Sequence, residues 1–307
     1  MRNATILALT KLADNNKNVI LITADLGFGL FEDFAKRFPS QFFNVGIAEQ
    51  NMIGIASGLS IEGKIVFVYS IGNFPTLRCL EQIRNDASYH GLNVNIICMG
   101  AGFSYGALGT SHHATEDIAI MRALPGTTVI SPSTDTEAYF ATMSLADIKG
   151  VTYLRLDKSK VQSIHNQNNS LEIGKGNILK NGFDYSIISS GSITEVALNA
   201  SDTLEKSGIS CQVISMHTIK PIDIELIKKC INDSKGIITL EEGNISGGMG
   251  SAVLEACEKI GSFPRKLKIL GIQDSFVSKI GSQDFLRKYI GLSKEAIEEV
   301  ILNWKNS

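Results

Sequence analysis

Apolar and polar positions alternate along the first half of the chain in a repeated strand-then-helix pattern. Short apolar runs typical of buried strands cover residues 19–23, 65–69, 94–99, 128–130 and 151–156. Segments with apolar residues at helical spacing lie around them, over 5–13, 31–38, 77–89, 115–124 and 134–148. Such regular alternation predicts a parallel sheet with helices on both of its faces.

A second alternating unit follows a polar stretch without periodicity. Its predicted strands cover 185–189, 210–215, 236–240 and 268–272, and its helices begin near Ile193, Ile222, Gly250, Gln283 and Lys294. We therefore expect an α/β protein of two doubly wound domains, each a largely parallel sheet flanked by helices. The predicted domains are residues 1–157 and 180–307, joined by a linker over 158–179.

One junction in the first unit places an acid where α/β proteins bind ligands. A β-prone run over 42–45 stops at Gly46 and continues into a helix-like segment rich in small residues. Glu49 falls in the first turn of that helix, and such strand-to-helix junctions are common ligand sites in open sheets. Gly54 and Gly58 lie on one helix face, where another backbone could come close. The plain alternative is a solvated acid that complements the helix N-terminus.

Two glycine-rich loops precede helices, at 100–109 and 243–250. Backbone N–H groups in such loops can cradle anions, but neither loop matches the P-loop or the dinucleotide fingerprint. We expect the second loop to be a tight turn that allows close packing. The first loop leads to His112 and His113, which should point in opposite directions in an extended loop and so suit a shared metal poorly. Either one histidine reaches a pocket or both are surface residues.

The composition argues against several classes of function. The 307 residues carry a net charge of −2, with 44% hydrophobic residues and no basic excess that suggests nucleic acid or a membrane surface. No apolar stretch is long enough to span a bilayer, and the N-terminal residues lack the pattern of a secretion signal, so a cytoplasmic location is expected. The five cysteines form no C-x-x-C pair, and neither a metal knuckle nor a disulfide framework is expected.

An ordered set of motifs resembles the transketolase family of thiamine-diphosphate enzymes. It comprises Gly46-Ile-Ala-Glu-Gln-Asn51 with its small-residue helix, the Gly-x-x-His segment at 109–112, the Glu-Asp-Ile-Ala run at 116–125, and Pro132. These pieces are similar to the family's pyrimidine-binding domain over 1–157. Residues 180–307, with Glu241-Glu-Gly-Asn at the start of the second glycine-rich loop, are similar to its C-terminal domain.

The resemblance implies only half of an enzyme. In the family a separate N-terminal domain with a Gly-Asp-Gly…Asn motif holds the cofactor's diphosphate and Mg²⁺, and that motif does not occur here. The chain thus looks like the C-terminal subunit of a split transketolase, which needs a partner subunit to complete the thiamine diphosphate site. An α₂β₂ assembly is the corresponding expectation.

The resemblance also implies roles for individual residues on the cofactor. Glu49 matches the glutamate that bonds N1′ of the aminopyrimidine, shares a proton with it and so activates the coenzyme. Asp25, Leu26 and Ile47 match positions that line the pyrimidine pocket. Phe74 is the candidate for the aromatic ring that stacks on the pyrimidine, although an ordinary core phenylalanine is equally compatible with the pattern.

Other matched positions concern the substrate. His112 matches a histidine that contacts substrate hydroxyls and helps to move protons, and His113 is grouped with it. Arg155 matches an arginine that binds the terminal anion of a sugar phosphate, with a structural salt bridge as its alternative, and Arg2 falls near another such arginine.

Three departures from the family pattern point away from ordinary pentose phosphates. Leu108 replaces an aspartate that reads a donor hydroxyl, Gly100 replaces a phosphate-binding histidine, and Gly29 replaces a serine. Since an unpaired buried polar group costs ~1–3 kcal/mol, the favoured sugar should change. A deoxy, sulfonated or nucleotide-linked sugar, or a role in surface polysaccharide synthesis, is as compatible as a pentose phosphate.

The leading hypothesis is two-carbon ketol transfer between a ketose and an aldose. The alternatives are the β subunit of a 2-oxo-acid dehydrogenase, a decarboxylating enzyme similar to deoxyxylulose-phosphate synthase, and a binding or regulatory module that has lost the chemistry.

Overall fold

The computed structural model describes residues 1–157 and 171–306, which form two α/β units. The strands of the first unit are β1 (Val19–Thr23), β2 (Phe42–Asn44), β3 (Ile65–Ile71), β4 (Val94–Met99), β5 (Thr128–Ile130) and β6 (Thr152–Leu156). Its helices are α1 (Arg2–Asn15), α2 (Glu32–Arg37), α3 (Glu49–Ile61), α4 (Leu80–Gln82), α5 (Asp117–Ala123) and α6 (Asp135–Leu145). Helix α4 continues directly into a π-helical segment, Ile83–Ser88.

The second unit contributes six more strands and five helices within the described residues. The strands are β7 (Asn177–Lys180), β8 (Tyr185–Ser190), β9 (Cys211–Ser215), β10 (Thr218–Lys220), β11 (Ile237–Asn244) and β12 (Leu267–Ile272). The helices are α7 (Thr194–Lys206), α8 (Ile224–Asp233), α9 (Met249–Ile260), α10 (Gln283–Tyr289) and α11 (Lys294–Asn306).

The strands form two sheets that are parallel except at an edge. The first sheet has the order β10-β5-β6-β4-β3-β1-β2, and only β10 runs antiparallel, against β5. The second has the order β12-β11-β8-β9-β7, with β7 antiparallel at its edge. Because β10 follows β9 in the chain but pairs with β5, the second unit covers the open edge of the first sheet. The predicted fold class is thus confirmed.

Apolar layers on both faces of the first sheet hold it between helices. On one face Leu9 of α1 and Leu145 of α6 pack against strand residues such as Leu154. On the other face Met52 and Ile53 of α3 belong to a core that continues into the second unit. Full burial of one such side chain contributes ~1.5–3 kcal/mol, so this shared core joins the two units firmly.

The predicted elements agree with the structure apart from local differences. Helix 77–89 begins three residues later than expected, at Leu80, and changes to π-helical geometry. The sequence pattern did not predict β7 or β10. Most of the predicted linker, residues 158–170, lies outside the described residues, and its end at 177–179 belongs to β7.

Candidate active site

The carboxyl ends of the parallel strands in the first sheet place the predicted site residues along one edge. Thr23 at the end of β1 is in register with Asn44 of β2 and with Tyr69 of β3, and Met99 of β4 pairs with Leu156 of β6. The loops and turns that follow these strands carry the predicted cofactor and substrate residues, among them Asp25, Glu49, Phe74 and His112. This is the edge where open α/β sheets bind ligands.

Glu49 is a buried acid in the first turn of α3. Gly46 turns the chain with φ +74°, a conformation that favours glycine, and α3 begins at Glu49 itself. The side chain of Glu49 is 3% exposed, and its Oε2 accepts a hydrogen bond from Nη1 of Arg78 at 2.7 Å. The plain alternative of a solvated acid is therefore wrong, because the carboxylate lies inside and has a cationic partner.

Aromatic and cationic groups continue from Glu49 across the edge of the sheet. The guanidinium of Arg78 lies 4.6 Å from the centre of the Phe74 ring. The rings of His112 and Phe74 meet in a T-shaped contact at 5.4 Å between centroids, and the Tyr105 ring lies 6.3 Å from that of His112. Glu49, Phe74 and His112, which are far apart in sequence, thus belong to one continuous group of contacts. Phe74 is only half-buried, so its ring is accessible at this edge.

The two adjacent histidines have different environments. His112 ends a 3-10 turn, Thr110–His112, and His113 follows it, where the sequence suggested an extended loop. His112 is half-exposed, and its Nδ1 lies 3.0 Å from Oγ of Ser111. His113 is buried, its ring meets Phe103 at 5.1 Å, and its Nε2 lies 3.4 Å from the carbonyl oxygen of Gly106. Burial lowers the pKa of His113, so this side chain is neutral near pH 7. Of the two histidines, His112 is the one with an accessible ring.

The expected pyrimidine-pocket residues lie at the ends of β1 and β2. Asp25 has φ +53°, and its backbone N–H donates to Oδ1 of Asn44 at 3.0 Å. Asp25 and Leu26 line a cavity of about 160 Å³ together with Thr23, Gly27, Phe28, Phe31, Glu32, Ala35, Phe42 and Asn44. Ile47 is 78% exposed in the turn before α3, so it has no pocket around it within the described part of this chain.

The two candidate arginines differ in accessibility. Arg155 is buried: its Nε donates to Oδ2 of Asp117 at 2.7 Å, and Nη2 donates to the carbonyl oxygens of Ala114 at 2.6 Å and Glu242 at 2.9 Å. This geometry matches the salt-bridge alternative and offers an external anion little access. Arg2 is exposed at the start of α1. Its positive charge acts on Tyr105: burial raises the pKa of the Tyr105 hydroxyl, and the charge of Arg2 opposes that rise. Arg2 thus lies near the group that includes His112.

The presence of glycine at position 100, where the family pattern has a histidine, has a local structural explanation. Gly100 has φ +100°, and a Cβ atom there would collide with the ring of Tyr105. Tyr105 therefore packs on the glycine backbone, and a larger residue at this position would displace it. Leu108 is exposed beside the same loop.

The second glycine-rich loop surrounds a carboxylate from the same chain, that of Glu241. Glu241 is fully buried, and its carboxylate accepts hydrogen bonds from the backbone N–H groups of Met249 at 2.7 Å and Gly250 at 2.8 Å. A Cβ atom on Gly248 would collide with that carboxylate. The expectation of a close-packed turn is confirmed, because Glu241 occupies the N-terminus of α9.

Sequence reasoning missed Arg78 and Asn44 as parts of the site. Arg78 contacts both Glu49 and Phe74, but no motif marks it, and the only signal was its place four residues after Phe74. In the described part of the chain, no group of three or more histidine, cysteine or acidic side chains is arranged to hold a metal ion. Among the same residues, no helix has the length and apolar character needed to cross a membrane.

Comparison with known proteins identifies the class to which this fold and site belong. The model of the transketolase pyrimidine-binding domain matches residues 1–163, and that of the transketolase C-terminal domain matches residues 174–297. The chain belongs to the transketolase family, whose members use thiamine diphosphate.

Individual relatives are subunits of similar length. A Methanocaldococcus jannaschii protein named as a transketolase C-terminal section is 41% identical over 297 residues, which cover 96% of this chain and 92% of the relative. A subunit of an apulose-4-phosphate transketolase from Phocaeicola vulgatus is 36% identical, with 96% and 94% coverage. A solved split-gene transketolase, an inactive β4 tetramer, superposes with a TM-score of 0.90 at 36% identity and covers 98% of this chain and 97% of its own. This chain is therefore similar over nearly its whole length to the C-terminal subunits of split transketolases.

Proposed function

We propose that this chain is the C-terminal subunit of a split transketolase that transfers a two-carbon ketol unit between a ketose and an aldose. The observation that carries the proposal is the buried carboxylate of Glu49 at the first turn of α3, joined through Arg78 and Phe74 to His112. These residues fit an aminopyrimidine, which needs a carboxyl group beside a ring nitrogen and an aromatic side chain stacked on the face of the ring. When bound, thiamine diphosphate supplies the nucleophilic carbon that accepts the ketol unit and passes it on.

Glu49 is the proposed proton-exchanging group at N1′ of the aminopyrimidine. Its Oε2 is already bonded to Arg78, so a ring nitrogen that approaches the same oxygen would compete with Arg78 for it. Arg78 is about half-exposed and can turn away into solvent, whereas Glu49 is fixed at the start of a helix. We therefore expect Arg78 to move when the cofactor binds, and Glu49 to stay in place.

Phe74 is the proposed stacking ring, since it is only half-buried and its ring already packs against the Arg78 cation. Asp25 and Leu26 are proposed to line the cofactor side of the pocket from the ends of β1 and β2. Ile47, exposed in this subunit, would complete its apolar contacts against the bound cofactor or the partner subunit.

His112 is the proposed substrate contact, holding a sugar hydroxyl and moving a proton at the carbonyl oxygen. Arg2, exposed near Tyr105, is proposed to attract an anionic group of the sugar. The buried Arg155 and His113 are not included in the proposed substrate site, because their polar groups face the interior. With Leu108 and Gly100 in the loop, we favour a deoxy or otherwise modified sugar as substrate; one relative is named for apulose 4-phosphate.

A partner subunit is proposed to bind the diphosphate and Mg²⁺. Among the residues described here, no three histidine, cysteine or acidic side chains are grouped to hold a metal ion. The assembly is proposed to be α₂β₂. A related split transketolase forms an inactive tetramer of β chains, which agrees with a need for a second kind of subunit. The five cysteines are free and buried, as is common in reducing compartments, and a cytoplasmic location is proposed.

Reconstitution tests the function. The chain is mixed with an N-terminal subunit that carries the Gly-Asp-Gly…Asn motif, thiamine diphosphate and Mg²⁺, and offered a panel of ketoses: a pentulose phosphate, apulose 4-phosphate and a 6-deoxy-6-sulfo ketose, each with an aldose acceptor. We expect ketol transfer by the mixture and none by either subunit alone. Turnover by the isolated chain would contradict the half-enzyme proposal. Release of CO₂ from pyruvate, which has no ketol unit to transfer, at a higher rate than ketol transfer from the sugars would favour the decarboxylating alternatives.

A further inference from the structure

Three charged side chains are buried together where the two units meet. They are Asp157 after β6, Glu242 in β11 and Arg287 in α10. Nε of Arg287 donates to Oε2 of Glu242, and its Nη2 lies 3.6 Å from Oδ2 of Asp157. The amide of Gln283 donates to both carboxylates, at 3.0 Å to Glu242 and 3.1 Å to Asp157. Removing two carboxylates and one guanidinium from water costs free energy that their attraction does not fully offset. These side chains therefore suit a role other than stabilising the contact between the units.

The same two carboxylates also hold the loop that leads to the histidines. Oε1 of Glu242 accepts the backbone N–H of Phe103 at 2.5 Å, and Oδ1 of Asp157 accepts the hydroxyl of Ser104 at 2.6 Å. The packing is close: a Cβ atom on Gly102 would collide with Glu242, and one on Gly106 would lie 2.7 Å from the carbonyl oxygen of Gly281. Loop 100–106 is thus held to the second unit by the carboxylate of Glu242 and by close packing, and Asp157 holds it from within the first unit.

From this loop, contacts reach the proposed site. The buried ring of Phe103 meets His113 at 5.1 Å. The carbonyl oxygen of His113 accepts a hydrogen bond from the side chain of Asn73 at 2.6 Å, directly before Phe74. Since His112 lies between His113 and the Phe74 ring, its position depends on how the loop is held.

We propose that Asp157, Glu242 and Arg287 form an interdomain clamp that positions His112 for the substrate. They are positioning residues: they act through loop 100–106 and contact neither the cofactor nor the sugar. The second unit would thereby control the sugar side of the site and leave the Glu49 side unchanged. The inference that His112 meets a sugar rests on the proposed function. The contacts of Glu242 and Asp157 with loop 100–106 do not depend on it.

Hydrogen–deuterium exchange of the isolated chain tests the hold on the loop. The variants are Glu242→Ala, which removes the acceptor of Phe103, and Ser104→Ala. The second variant removes the hydroxyl that bonds Asp157 and the carbonyl oxygen of Ala101, while Asp157 keeps Gln283 and Arg287 as partners. The matched control is Glu255→Gln, since Glu255 also pairs across the two units, with Arg122, but is exposed and does not touch the loop. We expect amides in 100–113 to exchange about tenfold faster in both variants, with residues 49–61 and the control unchanged.

Equal exchange at 100–113 in wild type and Ser104→Ala would overturn the clamp, as would a uniform increase across both units. If Glu242→Ala does not fold, Ser104→Ala alone decides the result, and Glu242→Gln, which keeps an acceptor for Phe103, should restore slow exchange.

Kinetics of the reconstituted enzyme test the consequence, with hydroxypyruvate as ketol donor and an aldose acceptor. We expect the KM for hydroxypyruvate to rise about tenfold in Ser104→Ala, with the half-saturating concentration of thiamine diphosphate unchanged and Glu242→Gln close to wild type. An unchanged KM despite a faster-exchanging loop would refute the positioning role. Failure of the wild type to transfer a ketol unit would instead reject the proposed function, while the exchange data would still judge the clamp.

Discussion

Two buried glutamates at helix N-termini show how the two units of this chain use the same architecture differently. Glu49 begins α3 in the first unit, and Glu241 precedes α9 in the second. Glu49 is bonded to the half-exposed Arg78, whereas Glu241 accepts two backbone N–H groups of the helix that follows it. A cationic side chain at the surface can be displaced by a ligand, but backbone donors in the core cannot.

The difference separates a carboxylate that remains available from one already used by the fold. A carboxylate at a helix N-terminus is favourable in either case, since the helix dipole stabilises negative charge. What distinguishes Glu49 is the neighbouring accessible aromatic ring of Phe74 and the half-exposed His112. The same buried residue type thus suits a catalytic role in one unit and a structural role in the other.

The largest expected effect concerns Glu49. Replacement by glutamine keeps the shape but removes the proposed proton-exchanging group, so turnover of the reconstituted enzyme should fall ~10²–10⁴-fold. The fold should be preserved, because glutamine can still accept a hydrogen bond from Arg78. Initial rates and the thermal midpoint are measured on the same preparation. Near-normal turnover would show that Glu49 is not the carboxylate that exchanges the proton.

Local sequence patterns were sufficient to find Glu49 but not its surroundings. The break at Gly46 between an apolar run and a small-residue helix encodes the junction directly, because backbone geometry and periodicity are local properties. The partner Arg78 lies 29 residues away and depends on tertiary packing. The burial of His113 could not be predicted from adjacent histidines either, since a 3-10 turn and the Phe103 ring decide it.

Interdomain features were still less accessible to sequence reasoning. Strand β10 is three residues long and pairs with a strand of the other unit, so no periodicity indicates it. Glu242 and Arg287 are separated by 45 residues and meet only once both units are packed. The salt-bridge alternative for Arg155 was available from its place at a strand end, and the structure shows the partner, Asp117.

The second expected effect concerns Glu241. Replacement by alanine leaves the N–H groups of Met249 and Gly250 buried without their charged acceptor, which should cost about 3 kcal/mol of unfolding free energy. The thermal midpoint should drop by about 5–10 °C, as followed by circular dichroism. Turnover of the folded enzyme should change little. A large loss of turnover at unchanged stability would mean that the second glutamate also serves the chemistry.

The pH dependence of stability provides a sharper version of that test. Burial raises the pKa of Glu241 above its ordinary value of 4.5, although the N–H groups of Gly250 and Met249 oppose the rise. The folded state therefore holds this proton more tightly than the unfolded state. The contribution to stability is complete below pH 4.5 and is lost as pH rises through the folded pKa. Relative to Glu241→Gln, the wild type should lose thermal stability as pH increases from about 4.5, and parallel curves would contradict this.

A smaller effect separates the two histidines at the open edge of the first sheet. His112→Asn should lower kcat/KM for the sugar about 10–100-fold, the value of a lost hydrogen bond to a substrate hydroxyl, with the thermal midpoint unchanged. His113→Asn should show the opposite pattern, because it disturbs a buried ring contact with Phe103. Equal kinetic losses in both variants would mean that the loop, rather than one side chain, meets the sugar.

The smallest expected effect concerns the replaceable partner of Glu49. Arg78→Met removes the cation from a buried carboxylate and should cost about 1 kcal/mol, since the exposure of Arg78 weakens the ion pair. Combined with Glu49→Gln, the loss should shrink, because no unpaired charge remains inside. Thermal midpoints of the wild type, both single variants and the double variant form the cycle that measures this coupling. Additive losses would mean that Arg78 stabilises the chain through the Phe74 ring instead, and that Glu49 is held as firmly without it.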